Sequence, residues 1–137
     1  MNNKFEWTDE FISGNEQIDQ AHEQIFIQIN ELYELFSDTK NYYNQIVEKV
    51  GNLKILLVKH CEAENELFEK YDISEKEEHI QANNEIIQTI IDLENNLSPM
   101  IFALTLIDTI ISYFLYHFPK YDKKSLLELN KKISAES

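Results

Sequence analysis

The stretch IVEKVGNLKILLVKHCEAE, residues 46–64, decides the fold. Its apolar residues Ile46, Val50, Leu53 and Leu57 are spaced alternately by four and three, the period of one helix face. Continuing that rhythm gives His60, Glu64, Leu67 and Tyr71 as the next inward positions. A buried histidine is common, but an ionised glutamate buried without a partner is costly. Something elsewhere in the chain is therefore expected to pair with Glu64.

The composition narrows where that partner can come from. A chain of 137 residues reads as one domain, with an arm over 1–15, a bundle over 16–118 and a tail over 119–137. Two glycines and two prolines are too few for an all-β chain and point to long helices. The formal charge is −13 and the sequence contains no arginine, which disfavours nucleic acid and anionic membranes as partners. Cys61 is the single cysteine, so no internal disulfide forms and a reducing compartment is natural. The N-terminus lacks an apolar signal core, and no apolar run reads as transmembrane in length. The expectation is a soluble, cytoplasmic, all-α protein.

Other segments repeat the same rhythm. Ile18, His22, Ile25, Ile29, Leu32 and Phe36 mark a first helix, and residues 42–71 the second. Ser74 with Glu77 reads as a capping box for a third helix carrying His79, Asn83, Ile86, Ile90 and Leu93. Ser98-Pro99 starts a fourth, with Ala103, Ile107, Ile110, Phe114 and His117 inward and Pro119 expected to break it. An amphipathic stretch at about 122–133 closes the chain. Long helices with short connections predict an antiparallel up-down-up-down four-helix bundle with an N-terminal arm and a short C-terminal helix. In that bundle the starts of helices one and three share an end with the finishes of two and four. His22, His60, His79 and His117 then lie at one end, on core seams, beside Glu64.

Imidazoles and carboxylates converging inside a bundle suit a first-row transition metal. Asp122 is a further candidate ligand. It is five residues beyond His117, which on an unbroken α-helix turns it about 140° away. A break at Pro119 would let it swing back; otherwise it is an N-cap of the tail. A ferritin-type site is excluded, because the residues three before the four histidines are Asp19, Leu57, Lys76 and Phe114 instead of glutamates.

The spacings W-x3-F-x2-G at Trp7, Phe11 and Gly14, and I-D-x2-H-x3-F-x2-I-N from Ile18 to Asn30, precede H-x3-E at His60 and Glu64. A histidine opening the third helix and H-x4-D at His117 and Asp122 complete the set. Over essentially the whole chain this resembles the hemerythrin family of bacterial type. The resemblance implies two non-haem irons, oxo- or hydroxo-bridged, with Glu64 and Asp122 bridging, His22 and His60 on one iron, and His79 and His117 on the other. It implies a protein that binds dioxygen, or another small diatomic or peroxide ligand, for storage, delivery or sensing. Asn83 departs from the pattern, standing where the family has a further histidine. The second iron is therefore expected to be under-coordinated and substoichiometric, with Asn83 oxygen, water or nothing in the third place. Glu75 and Tyr113 are the residues placed to compensate. An alternative function is a di-iron redox enzyme, an oxidase, peroxidase or nitric-oxide catalyst, using the vacancy at Asn83. Among the remaining residues, Phe5 and Trp7 read as a lid, Cys61 as packing or interface, and Asp19 as a solvated helix start or a support for His22.

Overall fold

The computed structural model describes residues 8–37 and 43–136, apart from the side chains of Ser37, His117, Lys120 and Tyr121. The lid reading of Phe5 and Trp7 lies outside the described residues. Five α-helices account for nearly all of them, with no strand: α1 Glu16–Ser37, α2 Tyr43–Lys70, α3 Lys76–Asn96, α4 Pro99–Ser112 and α5 Lys123–Glu136. A short 3-10 turn, Asp9–Phe11, precedes α1, and a π-helical segment, Tyr113–Asp122, joins α4 to α5.

The buried faces follow the sequence period where it is strongest. Ile18, His22, Ile25, Ile29 and Leu32 are all buried on α1, and Ile46, Val50, Leu53, Leu57, His60 and Glu64 on α2. Beyond Glu64 the seam moves over by one residue. Phe68 is fully buried, while Leu67 and Tyr71, the expected core positions, are only partly covered. A seam extrapolated at a 3.5-residue mean slips against the 3.6-residue helix, and over seven turns the slip reaches a neighbouring position.

Helix α2 packs against α1, α3 and α4, and α5 packs on the π-helical segment. Polar pairs tie the helices at several heights: Lys49 Nζ lies 3.4 Å from Glu31, and Lys54 Nζ lies 2.8 Å from Glu94.

Three local expectations are corrected. The backbone does not break at Pro119. Residues 113 and 123, at the two ends of the π-helical segment, both keep right-handed helical angles (φ −56, ψ −51 and φ −60, ψ −44). A π turn bonds i to i+5, so it takes more than four residues and has a wider bore than an α turn. That relieves the clash of the proline ring with the carbonyl four residues earlier. Nor does the capping box form at Ser74. Glu75 occupies the cap position with φ +61, and Ser74 turns instead to Glu128 of α5, donating from its N–H at 2.9 Å and its hydroxyl at 3.1 Å. Finally, Pro99–Tyr116 is long and apolar enough to cross a membrane by length and composition, with mean hydropathy 1.6 over 18 residues. Asp108 interrupts the run without bringing the average down. One side of this stretch, including Phe102, Ala103, Leu106, Ile107 and Ile110, is packed in the core.

The arm is clasped to α1 and α5. Asp19 accepts hydrogen bonds from Ser13 N–H (2.8 Å), Ser13 Oγ (2.7 Å) and Gly14 N–H (3.1 Å), so it anchors the arm and does not support His22. Asn15 caps α1 through Oδ1, which accepts from Ile18 N–H at 3.1 Å.

Candidate metal centre

Helix α1 carries His22 on its fully buried stripe, and α2 carries His60 and Glu64 one turn apart on its own. Where the two stripes face each other, His22 Nε2 and His60 Nε2 stand 2.8 Å apart. Glu64 Oε2 lies 3.1 Å from His60 Nε2 and 4.0 Å from His22 Nε2. Adjacent ligand atoms on a first-row ion with bonds of about 2.1 Å sit roughly 3 Å apart, close to two of these three separations. Glu64 Oε2 has no well-directed hydrogen bond among the described residues, so its lone pairs converge on the same point as the imidazoles instead of being used up. This buried His/His/Glu group could hold a metal ion.

Its electrostatics suit that role. Burial, helped by the neighbouring His60, drives the His22 pKa well below its usual 6.5, so His22 is a neutral, ligand-ready imidazole. On His60 burial is the largest single influence and favours the neutral form, but the charge and contact of Glu64, with Asp122 behind them, outweigh it and raise the pKa. Edge-on ring contacts of Phe114 and Phe118 to His22, with centroids at 4.9 and 5.2 Å, hold its imidazole in place.

A second set of polar side chains adjoins the first. His79 Nδ1 lies 3.2 Å from Asp122 Oδ1, and His79 Nε2 lies 2.7 Å from Ser125 Oγ. The Asp122 carboxylate is thus a close neighbour of Nδ1, and the Ser125 hydroxyl is the hydrogen-bond partner of Nε2. Tyr113 donates its hydroxyl to Asp122 Oδ2 at 2.5 Å. Asp122 reaches this position because of the π segment. Tyr113, Phe118 and Asp122, spaced by five and four, are all buried, a period longer than that of an α-helix. The side chain of His117 lies outside the described residues. Asp122 is thus fully buried and is no helix cap.

Asn83 links the two sets. Its Nδ2 donates one hydrogen to Glu64 Oε1 at 3.1 Å and the other to Asn65 Oδ1 at 3.0 Å, and Asn65 Nδ2 donates to Asn84 Oδ1 at 3.1 Å. Of the two compensating candidates, Tyr113 lies at the site on Asp122, while Glu75 is exposed at the start of α3. Cys61 is packed in the core, its thiol pKa pushed well up by burial and then by Glu64. Sequence reasoning missed Asn65, Asn84 and Ser125. The signals were there: Asn65 follows Glu64 directly, Asn84 follows Asn83, and Ser125 is one turn beyond Asp122.

These features define an all-helical protein with a buried histidine–carboxylate cluster able to bind a metal. No family model matches the chain, and no curated protein matches it.

Proposed function

We propose that this chain is a hemerythrin-like non-haem iron protein, an antiparallel up-down-up-down bundle that binds dioxygen or a related small ligand at iron. The observation that carries the reading is the convergence of His22 Nε2, His60 Nε2 and Glu64 Oε2 in a fully buried space. Pairings that join the late part of one helix to the early part of a neighbouring one support the topology: Glu31 of α1 with Lys49 of α2, and Glu94 of α3 with Lys54 of α2. So do His22 with His60 and Glu64 with Asn83, which join the opposite ends of the same helices.

In this reading His22, His60 and Glu64 would hold an iron. The resemblance implies a second, which His79 and His117 would hold, with Glu64 and Asp122 shared between the two. Bound iron would supply an electron-rich centre for a small ligand. The chain's own residues exclude bulk water: Phe68 packs its ring 5.2 Å from His79, and Phe114 and Phe118 cover His22. Neutral His22 leaves no proton to displace on that ligand, while the raised pKa of His60 means that a metal there would compete with a proton more than at His22.

The test is anaerobic loading with ferrous iron, desalting, metal analysis and a visible spectrum before and after oxygen. An oxygen-dependent charge-transfer band that disappears under vacuum supports carriage, and irreversible bleaching or turnover supports an oxidative enzyme instead. Retention of no iron sinks both. Glu64→Ala is expected to lower iron affinity by more than about 100-fold, the upper end of what even supporting residues contribute. Helix content should stay unchanged by circular dichroism. Equal iron retention in this variant would remove Glu64 from the site.

A further inference from the structure

We infer that the centre takes a single metal ion, on the face formed by His22, His60 and Glu64, and that Asn83 is the positioning residue that makes it so. This rests on the iron assigned above to His22, His60 and Glu64, and takes the place of the second iron that the resemblance implies; it does not rest on dioxygen as the ligand.

The argument starts from the two oxygens of Glu64. A carboxylate that bridges two ions gives one oxygen to each. Here Oε2 faces the two imidazoles, while Oε1 accepts a hydrogen bond from Asn83 Nδ2 at 3.1 Å, inside the core. The amide N–H therefore stands where a second ion would have to approach. Nor can the amide simply turn over to offer its oxygen. Its other hydrogen is committed to Asn65 Oδ1, and Asn65 is oriented in turn by Asn84. Flipping Asn83 would set its carbonyl oxygen against Glu64 Oε1 and Asn65 Oδ1 together, replacing two hydrogen bonds with two acceptor–acceptor contacts in a buried place.

The neighbouring set is built on different lines. His79 Nε2 is engaged by Ser125 Oγ at 2.7 Å, while Nδ1 only approaches Asp122 Oδ1, at 3.2 Å and without hydrogen-bond geometry between them. Asp122 is itself held by the Tyr113 hydroxyl. Among the described residues, the group whose donor atoms converge as a ligand set is His22, His60 and Glu64. Two imidazoles and one monodentate carboxylate on one face of an ion leave its remaining positions open, the arrangement that suits mononuclear ferrous iron. The hydrogen-bonded pairs Tyr113–Asp122 and His79–Ser125 are then a wall of the centre. It contributes the negative charge of Asp122, which acts on both His22 and His60.

The experiment is a titration of the metal-free full chain with ferrous iron under anaerobic conditions, and separately with cobalt(II). The expected break is at one equivalent per chain. After oxidation, a single high-spin ferric ion has half-integer spin and an EPR signal, whereas an oxo- or hydroxo-bridged diferric pair couples to a diamagnetic state and has none. A break at two equivalents with an EPR-silent product would overturn the inference and leave the metal reading standing. Absence of any bound metal would overturn both. Two variants test the part assigned to Asn83. Asn83→His removes the N–H clamp and adds a ligand, and is expected to move the break to two equivalents. Asn83→Ala removes the clamp alone, and is expected to keep one equivalent while weakening affinity roughly 10–100-fold. Wild-type stoichiometry and affinity in both variants, with unchanged helix content, would show that Asn83 has no such role.

Discussion

At the scale of single residues, the centre is a solution to the cost of burying carboxylates. Glu64 and Asp122 are both fully inaccessible, and such groups are tolerated only with donors around them. Asn83 donates to Glu64 Oε1, while Oε2 faces the two imidazoles. Tyr113 serves Asp122, and the negative charge beside its hydroxyl adds to burial in driving the Tyr113 pKa well above its usual 10.0. Tyr113→Phe keeps the ring against Phe114 (centroids 5.0 Å apart) but removes the donor. Losing a buried hydrogen bond to a charged acceptor costs about 1.5–3 kcal/mol. Urea denaturation of the metal-free protein should show a loss in that range with an unchanged m-value. A loss below about 0.5 kcal/mol would mean that Asp122 is already satisfied without Tyr113.

At the scale of elements, two features position the site: the π-helical segment and the clasped arm. The π segment holds the core by its phenylalanines while setting Asp122 at its inner end. The arm turns through Gly14 at φ +87, where an added Cβ would also lie 3.0 Å from Asn130 Nδ2. That amide donates to Ser13 O at 2.9 Å, so it cannot retreat without loosening the clasp. Gly14→Ala is expected to destabilise by about 1–2 kcal/mol from the left-handed backbone alone. Gly51 is the matched control. It sits inside α2, where an added Cβ meets nothing within 4 Å, so Gly51→Ala should stabilise by about 0.5–1 kcal/mol. Thermal melts of the two variants should move in opposite directions. A fall for both would mean that α2 is closely packed at Gly51.

At the scale of the whole molecule, α5 fastens the turn between α2 and α3. Lys132 Nζ donates to Tyr71 O at 3.0 Å and Asp72 O at 2.8 Å, and Glu128 accepts from Ser74. Those bonds give a pH dependence of defined sign. The Ser74 backbone N–H is the main reason that the Glu128 pKa falls below its usual 4.5, with the Ser74 hydroxyl and Lys132 adding to it. Near pH 4 the unfolded chain binds more protons at this position than the folded one. The contribution to stability is therefore present above about pH 4.5 and lost as pH falls through the lowered value. Glu128 is partly exposed, and solvent screening keeps the effect below about 1 kcal/mol. Melting temperatures of wild type and Glu128→Gln should differ at neutral pH and converge in acid. A gap that widens in acid would contradict the assignment.

The helices and the inward stripes of α1 and α2 were legible in the sequence, because a 3.6-residue period ties side-chain direction to position. The same period marked His22, His60, Glu64, His79 and Asn83 as inward, and all five are buried, so which residues reach the candidate centre from the first three helices could be read before any fold was known. The rest could not. The placement of Asp122 depends on the backbone choosing i to i+5 bonding near Pro119, and composition does not reveal that choice. Ser74 reads locally as a capping residue, yet it is taken by Glu128, 54 positions further on. The amide of Asn83 could have offered oxygen or nitrogen to Glu64, and its two neighbouring asparagines on separate helices select the nitrogen. Local periodicity determined which residues enter the core. Only contacts between distant segments decided which atoms of those residues meet, because hydrogen-bond direction is set by the partner that packing brings into reach.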